Sequence, residues 1–203
     1  MPRNAPIGIL GGIFDPIHYG HLATARLAQE YFHLEKVLFI PAGTPAHKSV
    51  PWAKPTHRLA MLDLGIGKTP GFELWKGEMY RKGPSYTIDT LKELKKRHHD
   101  APLYFIIGSD NLREIPRWHN FKAILNLAVF CVAHRPGYSI NIPPQLASMK
   151  VKSFPGPQWK LSSTMVREYL SRGFSCDYLL PPKVAKYIKD NGLYITDVTK
   201  PYG

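Results

Sequence analysis

The chain has 203 residues, of which 44% are hydrophobic and 21% are charged, so it can bury a core and is not expected to be disordered. Its formal net charge of +12, from 27 lysine and arginine residues against 15 aspartate and glutamate residues, predicts attraction to anions. No apolar run approaches the ~20 residues of a membrane span, and the N-terminus does not resemble a secretion signal.

Apolar strand-like runs and helix-period segments alternate along the chain. In chain order, the pattern predicts a strand at 7–11, a helix at 20–32, a strand at 36–41, a helix at 56–66, a strand at 72–76, a helix at 87–99, a strand at 103–107, a helix at 120–127, a strand at 128–133, and helices at 162–171 and 182–191. This alternation is typical of a parallel sheet with right-handed crossovers. We predict a single α/β domain over 1–203: a doubly wound parallel sheet of about five strands with a small C-terminal helical part. Residues 138–160 receive no assignment.

Two cysteines, Cys131 and Cys176, are too few for a disulfide framework or a cysteine-based zinc site, so we expect a reducing cytoplasm.

The positive charge leaves three interpretations open: a nucleic-acid partner, a small phosphorylated substrate, or a solvated basic face. The basic residues are scattered, and their densest run, residues 92–97, lies on a predicted helix. No arginine-rich tail, RNP-like motif or zinc-finger spacing is present in the sequence.

The strongest motif is GGIFDPIHYGH, residues 11–21, directly after the first predicted strand. Ligands of open α/β sheets bind at the carboxyl ends of the strands. Gly11 and Gly12 lack side chains that would keep a ligand away from the backbone. The helix that begins near Gly20 points its N–H groups and positive dipole end at the same place, which predicts a phosphate site. The motif differs from the Rossmann and Walker glycine patterns, which argues against hydride transfer and a P-loop kinase.

His18 and His21 lie three residues apart, so their side chains share a face at the helix start. Two imidazoles there can donate to phosphate oxygens and stabilise the charge that develops during nucleotidyl transfer. A metal-binding pair is the alternative, but only Asp15 stands nearby as a further ligand, which is weak support. Each histidine could also serve as a structural donor.

A second motif, LSSTMVR at residues 161–167, places hydroxyls at the start of a helix. These hydroxyls and the first N–H groups of the helix form an anion cradle. Arg167 follows about one turn later, on the face of Ser163 or Thr164. An ordinary N-cap followed by a surface arginine is the alternative for this segment taken alone.

The two motifs resemble those of the (H/T)xGH nucleotidyltransferase superfamily, and the first closely resembles the GGTFDPxHxGH of bacterial nicotinate-mononucleotide adenylyltransferases. Ile13 stands where threonine is usual, at a position that contributes mainly through its backbone. The resemblance implies that His18, His21 and Arg167 are catalytic. It also implies an ATP site formed by these three residues together with Gly11, Gly12, Ile13, Phe14, Gly108, Asp110, Ser163 and Thr164.

Further segments resemble the substrate loops of the same family. TPAHK (44–48) resembles its PPHK, which implies that Lys48 faces a phosphate, although a flexible basic loop is the plainer interpretation. PSYTIDTL (84–91) resembles PSYTxxTL, which implies that Thr87 receives the nicotinate carboxylate at a helix start; a simple N-cap is compatible with this role. LYFIIGSD (103–110) resembles FIIGxD, which implies that Asp110 contacts a ribose hydroxyl or the metal-bound phosphates; the alternative is that Asp110 only caps a helix.

PRWH (116–119) resembles the loop that binds the pyridine ring. Trp118 would stack on that ring, and the backbone at Trp118 and His119 would read the carboxylate, whereas core packing is the commoner role of a tryptophan. HRPG (134–137) resembles the family's RPG, which implies that Arg135 binds the phosphate of the mononucleotide. The resemblance continues through the segment at 176–194.

The resemblance implies an enzyme that transfers AMP from ATP to nicotinate mononucleotide, giving deamido-NAD and pyrophosphate, with Mg²⁺ bound through ATP and pyrophosphate. It implies no nucleic-acid or membrane partner, and it leaves the oligomeric state open, with a homodimer as one candidate. Two alternatives remain: a relative that uses nicotinamide mononucleotide or phosphopantetheine, and a basic α/β module that binds nucleic acid with strong salt dependence.

Overall fold

The computed structural model describes residues 4–46, 50–134, 142–146 and 150–195. Within them, the strands are β1 (Ile7–Gly12), β2 (Lys36–Pro41), β3 (Phe72–Leu74), β4 (Leu103–Gly108), β5 (Val129–His134) and β6 (Val151–Pro155). The α-helices are α1 (Tyr19–Tyr31), α2 (Pro55–Ile66), α3 (Thr87–Arg97), α4 (Phe121–Leu127), α5 (Ser163–Ser171) and α6 (Pro182–Asp190). Three 3₁₀ helices, Gly77–Tyr80, Ser109–Arg117 and Pro144–Leu146, complete the described elements.

The described strands form one parallel sheet in the order β3-β2-β1-β4-β5-β6. The chain builds outward from β1 in one direction and then returns to its other edge with β4. The carboxyl ends of β1 and β4 therefore meet where the direction of winding reverses, which is the position at which such sheets bind ligands.

The strands bury side chains on both faces, which is why they read as continuous apolar runs. Leu10 and Phe39 belong to a core covered by α1, α2, α5 and α6, whereas Ile9 and Leu38 belong to a second core covered by α3 and α4. This arrangement confirms the predicted doubly wound sheet. In the part of the chain that the structure describes, no helix is long and apolar enough to cross a membrane.

Two of the differences from the prediction have a clear physical reason. β6 lies within residues 138–160, which had no assignment, and it adds a sixth strand at the edge of the sheet. α2 begins at Pro55, one residue before the predicted start, with Lys54 as its N-cap. Proline favours the first position of a helix because its φ angle is already helical and its missing N–H would have no partner there.

Candidate active site

The loop that joins β1 to α1 occupies the point where the winding of the sheet reverses. It starts after Gly12, and its second residue, Phe14, has a φ angle of 52° in the left-handed region. The Phe14 ring is buried and lies edge-on against His21, with 5.1 Å between the ring centroids. An ATP contact at Phe14 would therefore run through its backbone.

His18 and His21 are brought together as the sequence predicts. Their rings stack with 3.7 Å between centroids and 26° between planes. The His18 N–H donates to Nδ1 of His21 over 3.3 Å, so in the neutral His21 ring the proton is on Nε2. His18 is only 1% exposed and is the N-cap of α1.

Gly20 makes room for this pair. A Cβ at Gly20 would lie 3.0 Å from both Cε1 and Nδ1 of the His18 ring, so a side chain there would push the ring from its position. The helix itself starts one residue earlier, at Tyr19, and the Tyr19 N–H donates to the carbonyl of Leu179. That amide of the helix N-terminus is therefore already used within the protein.

The first two glycines of the motif serve different purposes. A Cβ at Gly12 would lie 3.2 Å from the Phe14 ring, so packing within the protein disfavours a side chain there. A Cβ at Gly11 would meet only Phe105, at an ordinary 3.8 Å, and Gly11 is exposed. The fold itself therefore does not require a glycine at position 11.

Three side chains from distant elements hold the backbone carbonyls of this loop. Arg58 of α2 donates to the Ile13 carbonyl over 2.9 Å. From α5, Arg167 donates to the carbonyl of Asp15 over 2.7 Å, and Ser163 donates to that of Pro16 over 2.9 Å. The loop that presents His18 is thus fixed along its length.

The second motif packs directly against this loop. Ser162 is the N-cap of α5 and accepts from the Met165 N–H over 3.2 Å. Arg167 also donates to the Thr164 hydroxyl over 3.2 Å, so the predicted juxtaposition of those two residues is present. The guanidinium of Arg167 lies 5.9 Å from the ring centre of Trp52.

The carboxylate of Asp15 is held by hydrogen bonds within the protein. It is buried and accepts hydrogen bonds from the N–H groups of Trp52 and Ala53, over 2.7 and 3.1 Å, and from the hydroxyl of Tyr194, over 2.6 Å. Three donors on one carboxylate explain its burial. Among the described residues, no cluster of three or more histidine, cysteine, aspartate or glutamate side chains could hold a metal ion.

The 84–91 segment, which is predicted to bind the acceptor, is hydrogen-bonded to the loop that follows β2. The Gly43 N–H donates to the Ser85 hydroxyl over 3.0 Å, and the Ser85 N–H donates to the Thr44 carbonyl over 2.8 Å. Thr87 begins α3 as predicted, although its N-cap is Tyr86. The structure thereby joins the 84–91 segment to the loop after β2.

The residues of the 116–119 segment lie beside this segment. The rings of Tyr86 and His119 are 4.4 Å apart, and His119 is exposed. Trp118 is half-buried and lies edge-on against Phe105 of β4, at 5.8 Å. Trp118 therefore has both a packing contact and a partly open surface, so its two predicted roles are compatible.

Gly108 is the last residue of β4, and Asp110 lies in the 3₁₀ helix that follows. Gly108 is the N-cap of that helix, so Asp110 is not its cap. Lys48 and Arg135 lie outside the described residues.

Sequence reasoning missed two buried charged residues near the site. Arg58 is completely buried, and the loss of hydration lowers the pKa of its guanidinium, an effect that nearby Asp15 opposes. Burial raises the pKa of Glu78, while hydrogen bonds from Thr90 and Ser85 act against the rise. An arginine among the apolar residues of α2 was the available signal for Arg58.

Comparison with known proteins agrees with this geometry. The family model for cytidylyltransferase-like domains matches residues 9–169. A probable nicotinate-nucleotide adenylyltransferase from Bacillus cereus (strain AH187) is 41% identical over 189 residues, covering 93% of this chain and 97% of that protein. This chain belongs to the nicotinate-nucleotide adenylyltransferase family. A relative of the same description from Bacillus cytotoxicus is 41% identical over 191 residues, with the same coverage.

Solved structures with this family's name share the fold. The Plasmodium falciparum nicotinic acid mononucleotide adenylyltransferase complexed with APC matches with a TM-score of 0.77 and 22% identity, covering 94% of this chain and 98% of that chain. The same protein complexed with NaAD gives the same values. The family membership predicted from the motifs and the α/β fold predicted from the alternation of strands and helices are both confirmed.

Proposed function

We propose that this chain transfers AMP from ATP to nicotinate mononucleotide, releasing pyrophosphate and forming deamido-NAD. The observation that carries the proposal is the stacked pair of His18 and His21 on a loop anchored by Arg167, at the carboxyl end of β1. Cationic and N–H donors fixed at such a position are suited to phosphate groups. The names of the relatives support the choice of reaction.

In this proposal the two histidines and Arg167 bind the phosphates of ATP and stabilise the transition state. The remainder of the ATP site is formed by three segments: Gly11, Gly12, Ile13 and Phe14 at the end of β1 and in the loop that follows, Gly108 and Asp110 at the end of β4, and Ser163 and Thr164 at the start of α5. Arg167 and Ser163 already hold carbonyls of that loop. The groups that would meet ATP are therefore prearranged, which lowers the cost of organising them during the reaction.

The acceptor site in this proposal is formed by Thr87, Trp118 and His119, with Lys48 and Arg135 binding the mononucleotide phosphate. The first three are supported by the contacts that join the start of α3 to the Tyr86–His119 ring pair. A half-buried indole against Phe105 is held in one orientation and can offer its open surface to a pyridinium ring.

The chemistry needs positioning and charge stabilisation. An oxygen of the acceptor's 5′-phosphate attacks the α-phosphorus of ATP, a new P–O bond forms, and the bond to the bridging oxygen breaks so that pyrophosphate leaves. The attacking oxygen is already anionic, so no general base is required. Mg²⁺ enters as part of the substrate, bound by ATP and leaving with pyrophosphate.

We also propose that the chain is a single domain and works in the cytoplasm. Its two free, buried cysteines support the cytoplasmic location.

The test is pyrophosphate release from Mg-ATP with nicotinate mononucleotide, nicotinamide mononucleotide or phosphopantetheine as the acceptor, in parallel. We expect a large preference for nicotinate mononucleotide. Turnover only with nicotinamide mononucleotide would support adenylyl transfer but would change the assigned acceptor. Turnover only with phosphopantetheine would contradict the assignment of Trp118 and Thr87 to the acceptor site. If no acceptor gave pyrophosphate release, adenylyl transfer would be refuted.

A further inference from the structure

Arg58 makes an unusual pair of contacts for a completely buried arginine. It lies on α2 among buried apolar residues such as Met61 and Leu62. Its Nη1 donates to the carbonyl of Ile13 over 2.9 Å, and its Nη2 donates to the carbonyl of Gly43 over 3.1 Å. The two carbonyls belong to different loops, one after β1 and the other after β2.

Each of these loops leads to a different half of the site. The Ile13 carbonyl begins the loop that presents His18. Gly43 leads to the acceptor side, because its N–H donates to Ser85, two residues before the start of α3 at Thr87. We call the loop after β1 the ATP loop and the loop after β2 the acceptor loop. One planar guanidinium therefore sets the separation between the two.

The backbone at Gly43 is also confined from the other side. A Cβ at this position would lie 2.3 Å from the carbonyl oxygen of Glu78, so only glycine lets the loop approach that carbonyl. With Arg58 bound to its carbonyl and Ser85 to its N–H, Gly43 is held by three neighbours. The acceptor loop thus has little freedom to move independently of Arg58.

Packing alone does not account for an arginine here. Burying a guanidinium without a directly bonded carboxylate is costly, and an apolar side chain of similar volume would fill the space at lower cost. A lysine could not replace it either, since its single ammonium group cannot reproduce the two divergent donors of a planar fork. What arginine adds is the simultaneous hold on two carbonyls.

We propose that Arg58 is a positioning residue that couples the ATP and acceptor sites by fixing their two loops to each other. The inference rests on the proposed function, because it assigns one substrate to each loop. Loss of the fork lets both loops relax, so both substrates bind less well and their phosphates align less often. Small misplacements of reacting groups lower rates by large factors.

The experiment compares R58M, R58K and the wild type, with R26K as the matched control. Arg26 also bonds a backbone carbonyl, that of Pro70, but it lies on α1 away from the two loops. Steady-state rates give KM for each substrate and kcat. For R58M we expect both KM values to rise on the order of tenfold and kcat to fall by at least as much; R58K should recover part of the loss, and R26K should stay within about twofold of the wild type.

A second measurement keeps the inference separate from the identity of the acceptor. Hydrogen exchange without substrate should quicken in R58M and R58K at the amides of residues 13–15 and of residues 43, 44 and 46 together, and not in R26K. If R58M does not fold, R58K carries both tests. A folded variant with unchanged KM values for both substrates, or with one loop alone disturbed, would overturn the coupling. A wild type that releases no pyrophosphate would refute the proposed function, while the exchange measurement would still decide the role of Arg58.

Discussion

The Tyr194 hydroxyl donates a 2.6 Å hydrogen bond to Oδ1 of Asp15, across 179 residues of the chain. Both side chains are buried. The same carboxylate binds the N–H groups of Trp52 and Ala53, so the segment after α6, the loop before α2 and the loop that carries His18 meet at one aspartate. The geometry of the loop between β1 and α1 therefore depends on a residue that lies far along the sequence.

Replacing Tyr194 with phenylalanine should lower the free energy of unfolding by about 1–3 kcal/mol, because the buried carboxylate loses one donor. Urea denaturation of Y194F measures this. The control is Y178F, since Tyr178 is 96% exposed and its hydroxyl should contribute less than about 0.5 kcal/mol. Equal stabilities of the two variants would show that the Asp15 bond contributes nothing.

Replacing His18 with alanine should reduce kcat by about 10²–10³-fold, the usual effect of losing one donor to a developing charge. The fold should survive, which the circular dichroism spectrum and the unfolding temperature can establish. The control is H99A, because the His99 side chain is 79% exposed and follows α3 at the opposite end of the sheet. A normal kcat in folded H18A would remove His18 from the proposed mechanism.

Replacing Gly11 with alanine separates folding from ligand approach. The new Cβ fits the protein at an ordinary distance, so the unfolding temperature should stay the same or rise slightly. If ATP contacts the backbone at Gly11, the new methyl group should raise KM for ATP while KM for the acceptor changes little. A G11A enzyme with an unchanged KM for ATP would show that Gly11 does not face the nucleotide.

Replacing Trp118 with alanine should raise KM for the mononucleotide on the order of tenfold or more, because ring stacking contributes about 1–3 kcal/mol. KM for ATP should change much less. W118F keeps an aromatic face and the packing against Phe105, so it should lose only part of the effect. If W118F raised KM for the mononucleotide as much as W118A, an aromatic face at this position would not explain how the acceptor binds.

Glu78 should make stability depend on pH. Burial raises its pKa above the ordinary 4.5, so the folded protein keeps a proton that the unfolded chain has lost. The free energy of unfolding should therefore fall as pH rises from about 4.5 towards the raised pKa, by linkage. In E78Q, where Thr90 can still donate to the amide oxygen, this fall should be absent.

Denaturation at several pH values gives the comparison. The control is E114Q, because the Glu114 side chain is 53% exposed and pairs with neighbouring Arg117. Parallel pH profiles for wild type and E78Q would mean that the burial of Glu78 does not perturb its titration.

The loop between β1 and α1, with its two histidines, could be predicted from sequence because its parts are contiguous. A strand, two glycines, His18 and His21 follow one another within residues 7–21, so local rules place them together. Arg58 could not be placed, since its partners Ile13 and Gly43 are 45 and 15 residues away and are backbone atoms without a sequence signature. Ser85 was missed as an anchor for the same reason: it meets Gly43 across 42 residues.

The sixth strand shows a different limit. β6 is an edge strand in which Phe154 is buried and Lys152 and Ser153 are exposed, so it lacks the continuous apolar run of the central strands. Its pairing with β5 is a tertiary property. Polar residues at an edge also discourage pairing with other chains, and the same feature that protects the edge hides the strand from sequence analysis.

The strand order has a consequence for synthesis on the ribosome. β1 pairs with β2, which is translated soon after it, but its other partner is β4, where Leu103 pairs with Ile7. Until β4 emerges, the nascent chain carries an apolar strand with one open edge, a surface that recruits other unfolded chains. A chain that ends before Leu103 therefore keeps an unpaired edge on β1, and such an edge favours association with other chains.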